Sequence, residues 1–81
     1  SYKCLKLDLL KSFLSNFDHT LELKPNGQNM YKFNNELIIN VYETGSVVFQ
    51  GHETSGILAQ QVTDFINSVN APFVSQDWFL H

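Results

Sequence analysis

The chain holds one cysteine, no arginine, two prolines and no long apolar run, and each scarcity removes a class of protein. Cys4 alone cannot close an intrachain disulfide, and no Cys/His cluster has the spacing of a zinc site. A reducing, cytoplasmic setting is therefore the default expectation. No stretch approaches the roughly 18 apolar residues of a membrane span, and the start shows no signal-peptide pattern. Gly45, Gly51 and Gly56 are spaced as turns and a helix entry, not as a phosphate-binding loop. His19, His52 and His81 are scattered, and no Gly-x-Ser-x-Gly elbow or Cys–His pair is present. His52, Glu53 and Ser55 read as a loop. The residues predict neither an enzyme nor a cofactor or metal site.

What remains is apolar and aromatic. The hydrophobic fraction is 43% and the aromatic fraction 14%, enough large side chains for a small domain to build a core. The 81 residues suit one domain, 1–81, and a chain this short buries only about 60% of its unfolded surface. With no initiator Met, the segment is expected to be excised from a longer protein. Residues 70–81 then form a tail or the start of a linker. Phe73, Val74, Trp78, Phe79 and Leu80 suit packing onto this domain or another. Net charge is −3, which argues against a strong nucleic-acid binder. All five lysines lie in the first 32 positions, so the amino-terminal part is locally basic and the remainder acidic.

Hydrophobic periodicity supplies the elements. Leu10, Phe13, Leu14 and Phe17 recur at helical spacing, which predicts a helix over 8–17 capped by Asp8. "HTLELK" alternates, with Leu21 and Leu23 on the apolar side. "PNG" is a turn, and "QNMYKFN" returns with Tyr31 and Phe33 on one face. "NNE" turns again. "LIINVYE" and "SVVFQ" flank Thr44–Gly45 and place Leu37, Ile39, Val41, Val47 and Phe49 together. Leu58, Val62, Phe65, Ile66 and Val69 predict a second helix over 56–69, with Thr54 or Ser55 as cap and Asn70-Ala-Pro72 as its stop. The predicted fold is α+β: a four-stranded antiparallel meander with both helices on one face, in the order α-β-β-β-β-α.

That arrangement leaves one sheet face open. A double-stranded-RNA-binding domain is excluded because the last helix opens "TSGILAQQ" with no basic residue. An RNA-recognition motif is excluded because "SVVFQG" lacks its basic-aromatic strand. On the open face, Lys24 and Lys32 can reach phosphates, Tyr42 can stack on a base or sugar, and Asn34, Asn40 and Gln50 can hydrogen-bond to groove edges. The same residues also suit a face solvated or covered by another protein domain. Gly45 and Gly51 are assigned structural turn roles.

Tyr42, Thr44, Gly45, Val47, Gln50 and Gly51, in "NVYETGSVVFQG", form a hairpin that resembles the TATA-binding-protein-like domain at the amino terminus of bacterial ribonuclease HIII. The opening "SYKCLKL" is similar to that of RnlA-type toxin ribonucleases, where related domains occur. The hairpin and following helix, roughly 35–69, carry most of the likeness. The resemblance implies a non-catalytic accessory module whose sheet face holds an RNA/DNA hybrid or RNA while a separate domain cuts it. Ser46 stands where that family often has lysine. The alternative is a protein-interaction or dimerisation module of a multidomain bacterial defence or toxin protein.

Overall fold

The computed structural model describes residues 1–71, and within them Tyr2–Lys3 changes the expected topology. This pair forms β1, so the chain runs β1, α1 (Leu7–Leu14), β2 (His19–Lys24), β3 (Gln28–Phe33), β4 (Leu37–Tyr42), β5 (Ser46–Gly51) and α2 (Ile57–Asn70). The fold is α+β with a five-stranded antiparallel sheet of order β1-β5-β4-β3-β2. The four-strand expectation is corrected because two residues are too few to show a period. Pairing across the sheet makes them a strand: Tyr2 lies opposite Val47 and Lys3 opposite Ser46.

The meander itself is local. β2, β3, β4 and β5 pair in sequence order, with Leu21 opposite Tyr31, Tyr31 opposite Ile39, and Ile39 opposite Phe49. Since side chains alternate across a pleated strand, one register gives one continuous apolar face. Leu37, Ile39, Val41 and Val47 are buried there with Tyr31 and Phe33. Leu10 and Leu14 of α1 and Ala59, Val62 and Ile66 of α2 complete the core. Phe13 stacks on Phe65 with centroids 4.2 Å apart, joining the two helices. Both helices therefore cover the same sheet face.

Boundaries differ from expectation for reasons of capping. α1 ends at Leu14, and the Asn16 and Phe17 amides bond back to Phe13 and Leu14 in a tightened last turn. Lys6, not Asp8, occupies its N-cap. Asp8 sits in the first turn, where its charge still favours the helix dipole. Gly56 caps α2 in place of Thr54 or Ser55. Asn34 falls in the turn after β3 instead of within a strand. Leu21 and Leu23 lie on the apolar face, yet they are 45% and 74% exposed. They belong to the outermost strand, at the margin of the helical layer. The expectations for the segment beyond Ala71, its apolar packing included, lie outside the described residues.

α2 returns to the start of the chain. Asn70 donates from Nδ2 to the Lys3 carbonyl at 2.6 Å and accepts from the Leu5 amide at 2.8 Å. The Cys4 amide donates to the Gly45 carbonyl at 2.7 Å. These bonds satisfy backbone groups around β1 that a two-residue strand leaves open.

Candidate nucleic-acid interface

The face turned away from the helices is built from alternate residues of all five strands. Alternation places Glu22 and Lys24 there from β2, Met30 and Lys32 from β3, and Asn40 and Tyr42 from β4. Gln28, Gln50 and Lys3 join them by register. The charged residues within the described strands are Lys3, Glu22, Lys24 and Lys32, and all four take outward positions. Asp8 and Asp64 are on helices, while Asp18, Glu36, Glu43 and Glu53 lie in turns or loops. A chain of net charge −3 thus presents more positive than negative groups on the sheet face that neither described helix covers.

The centre of that face is a row of amides. Gln28 donates from Nε2 to Asn40 Oδ1 at 2.8 Å, and Asn40 donates from Nδ2 to Gln50 Oε1 at 2.5 Å. The row crosses β3, β4 and β5. Asn40 is only 1% exposed, so its side chain is a satisfied structural centre for the row and not a free reader of a ligand. Among the described residues no hydrogen bond occupies the Gln28 side-chain carbonyl or the Gln50 amide donors. The sequence reading missed Gln28. Counting back from the Asn34–Glu36 turn would have paired Met30 with Asn40 and brought Gln28 into diagonal reach.

Lys24 and Lys32 are brought together, and Glu22 lies between them. Its carboxylate meets Lys32 Nζ at 2.8 Å and Lys24 Nζ at 3.0 Å. The hydrogen bonds from Lys32 and then Lys24, reinforced by their charges, lower the Glu22 carboxyl from 4.5 to about 2. The two lysines therefore share one counter-charge. At the opposite edge Lys3 folds over the β4–β5 turn, its Nζ donating to the Thr44 carbonyl. Tyr42, half-buried, ends β4 opposite Gln28.

Asn34 is not part of this set. It borders a recess of about 330 Å³ with Phe17, Asp18, Phe33, Asn35 and Leu58, where the β3–β4 turn meets the α1–β2 connection and α2. Gly45 and Gly51 hold the turns with φ of 99° and 79°. A Cβ would lie 2.9 Å from the Cys4 carbonyl at Gly45, and 2.6 Å from the Glu36 carbonyl at Gly51.

Among the described residues no cluster of three or more His, Cys, Asp or Glu side chains could hold a metal, and no helix is long and apolar enough to cross a membrane. Comparison with protein-family models, curated proteins and solved structures gives no match for this chain.

Proposed function

We propose that this domain is a non-catalytic nucleic-acid-binding module, TATA-binding-protein-like in character, that receives an RNA/DNA hybrid or RNA on its uncovered sheet face. The observation that carries this reading is the segregation of strand charge: three lysines and one carboxylate, all outward, at the margins of a neutral centre. Lys24 and Lys32 form one cationic margin and Lys3 the other. Between them, Tyr42 offers a ring for stacking, and Gln28 and Gln50 offer one acceptor and one donor set. Phosphates would compete with Glu22 for its lysines, so binding is modest and salt-sensitive.

Labelled RNA/DNA hybrid, single-stranded RNA and duplex DNA, titrated at low salt, test this directly. Glu22→Gln frees two ammonium groups and is expected to tighten binding and steepen its salt dependence. Lys24→Ala with Lys32→Ala is expected to weaken it and reduce the slope of log K against log salt by about 1–2. No binding to any of the three at low salt sinks the proposal.

The half-buried Met30, Ile38 and Val48 on the same face favour a second reading, docking of a protein domain. That reading expects the lysine changes to be tolerated and Tyr42→Ala to abolish the contact, since aromatic anchors dominate such interfaces.

A further inference from the structure

The two edges of the sheet are unequal. β1 is two residues long, and its backbone is tied to Gly45 and Asn70. A short, tethered edge strand offers little to a second sheet. β2 is six residues long and pairs only with β3 among the described residues. Its register against β3 is continuous from His19 to Lys24, with no bulge to twist the edge away. It also carries two exposed leucines, Leu21 at 45% and Leu23 at 74%. An edge with open backbone groups and an apolar ridge is a template for another strand.

We propose that β2 is the dimerisation edge of this chain, joining the β2 of a second copy antiparallel across a two-fold axis to make a ten-stranded sheet. In antiparallel pairing, opposed residues share a face, so the axis must pass through a residue or the gap opposite it. Centring the pair on Leu21 sets Leu21 against the second copy's Leu21 and His19 against its Leu23. On the outward face the same register sets Glu22 against Thr20 and Lys24 against Asp18, the exposed acid immediately before β2. Ladder length and charge together select this register. Centring on Leu23 would oppose Glu22 to Lys24, but would keep only residues 22–24 of the strand paired and set Leu21 against Pro25, which has no N–H to donate. Shifting the pair to centre on Glu22 would oppose two carboxylates directly, which destabilises a cross-strand pair. The symmetry is isologous and closed, so association stops at two. The proposal does not depend on what the sheet face binds.

Sedimentation of the 81-residue chain without nucleic acid, from about 10 μM to about 1 mM, tests it over the range expected of a small interface. A monomer–dimer equilibrium is expected. Leu21→Lys and Leu23→Lys each raise its dissociation constant by at least about tenfold. Both side chains are exposed, so the thermal midpoint of the monomer should stay close to that of the parent. Asp18→Lys and Lys24→Asp each weaken the dimer, and the double swap restores it. Amide exchange along β2 slows as the dimer forms. Monomer mass throughout overturns the proposal. So does a dimer indifferent to Leu21→Lys, or a double swap no tighter than the single variants. Concentration-independent protection of β2 also overturns it, because another segment of the same chain would then cover that edge.

Discussion

Asn40 shows what one polar residue can do inside a sheet. Its amide is buried and accepts from one strand while donating to the next. No buried side-chain polar atom among the described residues lacks a partner. Asn40→Ala removes both bonds and leaves the Gln28 donor and Gln50 acceptor to find water at a crowded centre. Urea unfolding is expected to show a loss of about 1–3 kcal/mol. A change below a few tenths would mean that the amide row contributes nothing. Gly45 is the second sensitive residue, because its positive φ and the nearby Cys4 carbonyl leave no room for a side chain. Gly45→Ala should cost at least about 1 kcal/mol by the same measurement.

Glu22 gives a pH prediction of the same scale. Its folded carboxyl titrates at about 2, well below its ordinary 4.5. A depressed carboxyl contributes stability that is complete above its unfolded value and is lost as pH falls through the folded one. The window therefore runs from about 4.5 down to about 2. The pair partners are exposed, so salt screens the contribution and its size is small. Carbon-detected NMR titration of the Glu22 carboxyl should place it far below the free value. A midpoint near 4.5 would mean that the lysine bridge does not persist in solution.

At the scale of elements, the most informative join is Asn70 with β1. A helix end closes a strand that has too few residues to hold itself. Asn70→Ala severs two hydrogen bonds at once, and hydrogen exchange of the Cys4 and Leu5 amides should accelerate more than that of β3 or β4. Uniform acceleration would show that β1 opens only with the whole domain. The layer contact has a larger effect. Ile39 is fully buried beneath the helices, and Ile39→Ala is expected to cost about 2–5 kcal/mol. In a domain of this size that removes much of the total stability.

For the whole molecule, charge placement matters more than net charge. The balance of −3 argues against a nucleic-acid partner, while the fold separates most carboxylates into helices and turns and leaves lysines on the sheet. Placing both helices on one side leaves this segregation on the opposite face of the sheet. A dimer through β2 would join two such faces edge to edge and bring the Lys24 and Lys32 margins of both copies to its centre.

The amino-acid order by itself determined the meander and both amphipathic helices. Alternation in 19–24, 28–33, 37–42 and 46–50, and the helical spacing of Leu10, Leu14, Val62 and Ile66, are local signals written within a few residues. It also determined the turn at Gly45 and the apolar face of β4 and β5. Tertiary structure decided what depends on partners distant in sequence: β1 as a fifth strand, Gln28 as the third member of the amide row, and Glu22 as the counter-ion of both lysines. It also moved Asn34 away from the open face and left Leu21 and Leu23 in solvent. The physical reason is common to all of these. Periodicity tells which side of its own element a residue occupies, but pairing register and position within the sheet decide what it meets there.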